Sequence, residues 1–421
     1  MALLAPGLAE ARGLRLDRGF GGGRGWATLR VRGKVLNANA VALLPGGKVV
    51  IAGQASPSHP TPTGNVQVFV AVYRSDGRLD RGFGRGGVFF THFPNARGPF
   101  DATAVASDRS GRVLVAGGYG QNAMLLMRLT AAGRLDRSFG AKHGYVTLAV
   151  GSIASSMTLA RDGKIVLGGS NANAMGRPMV VARFTARGFR DRRFGRAGVV
   201  QLLFWNAALA SSSNVDGLAA TADGGVIGAG HVDYIGGQPG QGGYGKAGIF
   251  RLSASGRLVR RFGDSGHVLV GFRNAQGSFK SWFPCALTVG PRGGITVTGD
   301  GSERPKGQIL TVRLTATGRL GRSFGQGGRS VQPGPGSGDI TTCGAAGDSS
   351  GRFTVGVGAT LVQLRANGHP NPGFSRRGRF QIARPPGVAV QALAAAGRGR
   401  LVVAGFTGPA AYVARYAGIP G

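Results

Sequence analysis

Leu135-Asp136-Arg137-Ser138-Phe139-Gly140 decides the fold, because the chain repeats it. The phrase recurs at Leu16–Gly21 and Leu79–Gly84, with weaker copies at Asp191–Gly195, Arg260–Gly263, Leu320–Gly325 and Asn371–Phe374. Its phenylalanines are Phe20, Phe83, Phe139, Phe194, Phe262, Phe324 and Phe374, a period near 50–60 residues. Self-similarity at a fixed period marks a repeat architecture.

Two further phrases keep step with the first. One is a turn followed by a short apolar strand ending in glycine, as in Gly47–Gly53, Gly111–Gly117, Gly163–Gly169, Gly224–Gly230, Gly293–Gly299 and Gly399–Gly405, with Gly351–Val357 as the variant. The other alternates apolar and polar residues, as in Val68–Arg74, Ala123–Leu129 and Gln308–Leu314. Each repeat therefore reads as four short strands between Gly and Asp turns. Seven such units predict an all-β, seven-bladed β-propeller with four-stranded antiparallel blades. In blade 1 the strands read as A (Asn39–Leu44), B (Lys48–Gly53), C (Val68–Arg74) and D (Val88–Phe93). The sequence stops soon after a strand C and opens with the phrase and an orphan strand D, Trp26–Val31. Pairing that strand with the last blade closes the ring and removes an open edge. A stacked solenoid would instead need polar end caps.

The charge balance is lopsided, with 51 Lys and Arg against 17 Asp and Glu, and only seven of the cations are lysine. A net charge of +34 suits an anionic partner such as nucleic acid, anionic lipid or an acidic polysaccharide. Arginine-rich codon usage with solvated charges explains it equally well. No apolar run is long enough to span a bilayer. Ala9-Glu10-Ala11 has the A-x-A form of a signal-peptidase site. Residues 1–11 thus read as the tail of a signal peptide, and residues 12–421 as one exported, monomeric propeller domain.

The phrases Leu135–Gly140 and Asp162-Gly163-Lys164-Ile165-Val166-Leu167-Gly168-Gly169 resemble the delta-60 repeat of bacterial proteins. The resemblance covers nearly the whole chain. It implies a propeller-like repeat protein, often exported or envelope-associated, whose members mostly lack an assigned activity. This chain departs from the pattern by carrying Arg after Leu-Asp, where Thr or Pro is common. The repeated Phe, Gly and Asp read as structural: a wedge between blades, a positive-φ turn and an acceptor for loop amides.

A propeller sorts its loops onto two faces. The A–B turns and C–D loops share one, where repetition sets Arg18, Arg81, Arg137, Arg192, Arg260 and Arg322 at equivalent positions. Such a ring of planar donor forks suits phosphate, sulfate or carboxylate groups of an anionic polymer. The B–C loops and D–A crossovers share the other face, where the long segments lie. They bring Trp205, Asn206, His231, Asp233, Tyr234, Arg273, Lys280 and Trp282 to one sector around blade 4, a candidate surface for a protein, peptide or glycan partner. Counting eight residues back from the first Gly of each strand-B phrase gives Asn39, Thr103, Ser155, Asp216, Cys285, Cys343 and Gln391, all expected near the central channel. Cys285 and Cys343, the only cysteines, thus occupy matching places in adjacent blades, a candidate disulfide.

No catalytic motif stands out. The six histidines are scattered, no phosphate loop is complete, and no metal-ligand spacing or cofactor signature appears. The sequence is thus read first as a non-enzymatic binding or scaffold propeller of the cell envelope or beyond. A propeller hydrolase or lyase at the channel mouth, with Asp216 and His231 to test first, is the alternative. Polyanion binding by the arginine ring is the third reading.

Overall fold

The computed structural model describes residues 13–418 apart from 59–65, 92–99, 121, 175, 205–209, 235–243, 274–278, 291, 302–306, 335–342, 349, 383–384 and 398. Among the described residues, seven four- or five-stranded antiparallel sheets follow one another along the chain and form the expected seven-bladed propeller, with one further two-stranded sheet between blades 4 and 5. Blade 1 runs Lys34–Leu43 (strand A), Val49–Pro57 (B), Gln67–Tyr73 (C) and Val88–Thr91 (D). Strands B and C are buried on both faces, which is why they read as near-continuous apolar runs. Blade 4 departs from the plan: its inner strand is split into Ala210–Ser213 and Gly217–Ala220.

The ring closes as its repeat phase requires. Trp26–Leu29 lies antiparallel to Ala410–Ala417, with Trp26 opposite Ala414 and Leu29 opposite Ala411. A shorter piece, Arg15–Leu16, extends the same pairing to Tyr416 and Ala417. Blade 7 therefore takes its outer strand from the start of the chain and its inner three from the end.

The repeated phrase builds the joint between blades. All seven phenylalanines are buried, none more than 2% exposed. Phe139 of blade 2 meets Gly188 in the turn of blade 3, where an added Cβ would stand 2.7 Å from the ring and φ is +83°. Glycine is required there on both counts. Gly140 N–H donates to Arg187 O at 3.0 Å in the same turn. The aspartate accepts from its own loop, Ser138 N to Asp136 Oδ1 at 3.0 Å, and Gly19 N to Asp17 Oδ1 likewise at 3.0 Å. The structural reading of Phe, Gly and Asp is thus what the joint displays.

Strand C adds a member that the phrase alone does not reveal. Arg128 gives Nε to Asp136 at 2.8 Å, Nη1 to Ala186 O of blade 3 at 2.6 Å, and lies 4.5 Å over the Phe139 ring. Arg183 repeats this with Asp191 and Ala254 O of blade 4. Arg415 repeats it with Asp17 and Ser75 O, joining blade 7 to blade 1 across the closure. Burial works against the charge of Asp136, but its bonds to Ser138 and Arg128 outweigh it and hold the carboxyl below its ordinary pKa.

Candidate functional site

In five blades the inner strand delivers one residue to the channel through a β-bulge. Strand A skips a residue between Ala38 and Ala40, Ala102 and Ala104, Ala154 and Ser156, Pro284 and Ala286, and Val390 and Ala392. The skipped residues are Asn39, Thr103, Ser155, Cys285 and Gln391. An extra, unpaired residue bends the strand and re-aims its side chain. The glycine ending each strand-B phrase accommodates the bulge: at Gly53 an added Cβ would stand 1.8 Å from Asn37 O, and at Gly230 it would stand 1.7 Å from Asn214 O. In blade 4 the same place is the break between the two short strands, which holds Asp216.

These residues line a cavity of about 770 Å³ running into the channel from the face of the B–C loops. Asn39, Thr103, Ser155, Asp216, Cys285 and Gln391 are all in its wall, as their register predicts. Part of the ring is stitching between blades. Asn39 donates to Asp101 Oδ1 at 2.8 Å, Thr103 Oγ1 to Ala154 O at 2.6 Å, and Asn214 Nδ2 to Ser155 Oγ at 2.8 Å. Cys285 is disulfide-bonded, while the side chain of Cys343 lies outside the described residues.

The ionisable groups of the wall, His231 apart, are acidic. Asp101, Asp216 and Asp300 face the cavity with His231, and no Lys or Arg is among the described lining residues. The Asp216 carboxylate binds the His231 backbone N–H at 3.0 Å and its Nδ1 at 2.9 Å, and Asn214 Nδ2 donates to its other oxygen at 2.6 Å. Burial opposes charging of the imidazole, but Asp216 and the nearby Asp233 prevail and raise its pKa. The edge of Phe283, 40% exposed, adjoins the imidazole with ring centroids 6.1 Å apart.

Burial raises the Asp101 carboxyl to about 6, against the bonds from Asn39 and the Ala102 amide. A raised carboxyl penalises the folded state at every pH where it must ionise. The penalty is full above about pH 6 and vanishes as the pH falls to about 4. Asp101→Asn is therefore expected to stabilise the protein at pH 7.5 by up to about 3 kcal/mol, the difference between a pKa near 6 and an ordinary carboxylate. Urea midpoints of the two proteins should converge at pH 4; a difference independent of pH would refute the assignment.

The sector chosen on sequence is only partly assembled here. His231 and Asp233 belong to strand B of blade 4, Val226–Tyr234, and Ser212 Oγ donates to Asp233 Oδ2 at 2.5 Å. Arg273 is exposed on a short hairpin, Phe272–Arg273 with Phe279–Lys280. Trp282, expected on the loop surface, is instead fully buried. It opens the inner strand of blade 5, and Phe272 of the hairpin packs edge-on against it at 5.0 Å between centroids. Trp205 and Asn206, and the side chains of Tyr234 and Lys280, lie outside the described residues. On the opposite face Arg18, Arg81, Arg137, Arg192, Arg260 and Arg322 are all exposed, as a solvated ring would be.

Asp101, Asp300, Gln54 and Phe283 were not singled out on sequence. A signal for two of them was present: Gln54, His231 and Asp300 each follow the last glycine of a strand-B phrase, Gly53, Gly230 and Gly299. That register position points at the channel mouth in three blades.

The chain matches no protein-family model and no curated protein sequence. Among solved structures it is similar to Drosophila Semaphorin 2a, at 9% identity over 93% of this chain and 75% of that one, with a TM-score of 0.51. It is also similar to an ulvan lyase of polysaccharide lyase family PL25, at 10% identity over 92% and 95% of the two chains, with a TM-score of 0.51. Sqt1 from Chaetomium thermophilum matches at 12% identity over 88% of this chain and 80% of that one, with a TM-score of 0.45. The chain shares the β-propeller fold with the first two of these proteins. At such identities the likeness extends to fold alone, and function has to be argued from the site.

Proposed function

We propose that this protein is a non-enzymatic binding propeller whose channel mouth receives a positively charged group of a protein or peptide partner. The observation that carries the reading is the sign of the wall. A chain of net charge +34 lines this one cavity with three aspartates and, among the described residues, no lysine or arginine. At physiological salt, fields are screened beyond about 8 Å, so the mouth's own carboxylates govern a group entering it. The side-chain amides of Asn39, Gln54 and Gln391 supply directional bonds, and Phe283 an apolar edge. The volume suits one or two side chains of a partner rather than a folded element.

The repeat phrases support membership of the delta-60 kind, and the disulfide at Cys285 supports a location outside the reducing cytoplasm. The test is fluorescence anisotropy with an arginine- and lysine-containing peptide library at pH 7.5. Asp101→Asn with Asp300→Asn should weaken the best binder at least about tenfold, equivalent to about 1.4 kcal/mol. Removing two ring arginines, Arg81 and Arg137, should not. Equal loss in both variants would place binding on the surface.

One observation favours a second reading. Asp216 holds Nδ1 of His231 at the channel wall, an arrangement that orients an imidazole for proton transfer through Nε2. A propeller enzyme acting on a polymer would lose turnover in His231→Gln while retaining substrate binding. Turnover that survives the change removes that role.

A further inference from the structure

Among the described residues, one strand-C arginine at the joints between blades has no carboxylate bound to it. In blades 2, 3 and 7 the strand-C arginine gives Nε to the aspartate of the phrase: Arg128 to Asp136 at 2.8 Å, Arg183 to Asp191 at 2.9 Å and Arg415 to Asp17 at 2.8 Å. Blade 6 builds the same link without charge, Asn371 Nδ2 donating to Gln363 Oε1 at 2.6 Å. Blade 4 has Val259 in place of the aspartate, and Arg251 turns Nη2 to Asp223 at 2.9 Å instead. Blade 5 keeps the arginine, Arg313, but has Gly321 where the aspartate stands and no carboxylate bound to that arginine among the described residues.

The backbone of the seat is intact. Gly321 N–H donates to Arg313 O at 2.8 Å, as Asp136 does to Arg128 at 3.0 Å and Asp191 to Arg183 at 2.9 Å. Arg313 Nη2 donates to Gly351 O at 2.9 Å, and the guanidinium lies 5.3 Å over Phe324. Its Nε is buried and has no hydrogen-bond partner. The three atoms nearest an ideal Cβ at residue 321 all belong to Arg313, its side-chain Cγ at 3.2 Å and then its backbone O and C at 3.4 and 3.8 Å, so the tightest approach is to a flexible side chain. Burial of a guanidinium without a counter-ion is costly, and desolvation correspondingly lowers the pKa of Arg313.

We propose that this seat beside Arg313 binds a carboxylate from outside the chain, either a small organic acid or an acidic side chain of a partner. A carboxylate is what the same backbone holds in three sister blades, and its two oxygens match the planar edge of a guanidinium. Gly321 is partly exposed, and Arg319 and Arg322 beside it are exposed. Those two cations raise the local concentration of anions at the entrance. A cavity of about 480 Å³ adjoins the guanidinium on the same face, lined by Arg313, by Arg352 and by Asp348, whose carboxylate is taken by Arg352 at 2.9 Å. The channel mouth lies at the other face, so this proposal stands or falls independently of the peptide site.

The experiment is thermal unfolding at pH 7 with sodium acetate replacing sodium chloride at constant ionic strength, combined with the ¹⁵N–¹H signal of Arg313 Nε. Acetate should raise Tm saturably and shift the Nε signal in the native chain and in Gly321→Ala. Gly321→Asp, which fills the seat with its own carboxylate, should start from a higher Tm and show neither response. A capped aspartate tripeptide that binds at least tenfold more tightly than acetate assigns the seat to a partner's side chain; equal or weaker binding assigns it to a free acid. The same acetate response in Gly321→Asp, or none in the native chain, overturns the proposal.

Discussion

Asp136→Ala lowers the stability of the ring by about 3–5 kcal/mol at pH 7, the cost of leaving one partner of a buried ion pair uncompensated. Arg128 is 3% exposed and Asp136 8%, so water does not replace the lost carboxylate. Arg112 makes matters worse. It stands 3.8 Å from Asp136 and already disfavours the charge on Arg128, so without the aspartate only Asp108, bound to Arg112 at 2.6 Å, is left to offset the two guanidinium groups. The exposed pair Lys164–Asp162 is the control: Asp162→Ala should change stability by less than about 1 kcal/mol, because solvent screens it. The pH dependence has a fixed sign. Asp136 has a lowered pKa, so its contribution is present above the ordinary carboxylate range near pH 4 and is lost as pH falls through the lowered value. Urea midpoints of the native chain and Asp136→Ala should therefore differ by a constant amount from pH 6 to 8 and approach one another in strong acid. A difference no larger than that for Asp162→Ala would show that the joint does not depend on the pair.

Phe139→Ala has an effect of similar size for a different reason. The ring is fully buried, shares one core cluster with Leu114 of its own blade and Ile165 and Phe184 of the next, and is met by Gly188 of the next blade. Truncation removes the transfer free energy of the ring and leaves a hole that the rigid sheets close only in part, about 3–5 kcal/mol in all. It also removes the surface over which Arg128 lies at 4.5 Å. Because the hole opens between blades 2 and 3, limited proteolysis should cut the variant first in the turns on either side of that joint. Phe139→Leu, which keeps most of the volume, should lose less than half as much. Loss of stability with cleavage sites scattered over all seven blades would contradict the wedge.

The repeat made the fold legible because each phrase performs one task in every blade. The phase of the repeat also revealed the closure: an orphan outer strand at one end and a missing one at the other can pair only with each other. The expected strand ran to Val31, whereas the ladder ends at Leu29, since the residues beyond it turn away towards strand A of blade 1. The strand-C arginine escaped notice although Arg128, Arg183 and Arg415 stand with their aspartates in one repeated register. Its partner is absent in blades 4 and 5, and blade 1 replaces it with Lys48, which reaches Asp80 at 2.6 Å. The channel ring was legible because a β-bulge recurs at one register position. The carboxylates around it were harder to read. Asp101 enters from the start of its strand and Asp300 from the end of strand B, so no single spacing relates them. Trp282 was misplaced because an aromatic residue after a long crossover resembles a surface anchor, and only the hairpin that covers it shows otherwise.

The most direct test of the channel-mouth reading is a crystal structure of the protein grown at pH 7.5 with the tightest arginine- or lysine-containing peptide from the anisotropy screen. The account predicts a guanidinium or ammonium nitrogen within about 3 Å of Asp101, Asp216 or Asp300, the distance of a charge-assisted hydrogen bond, with the peptide backbone crossing the face of the B–C loops. A peptide seated elsewhere, with the three aspartates out of its reach, would contradict it.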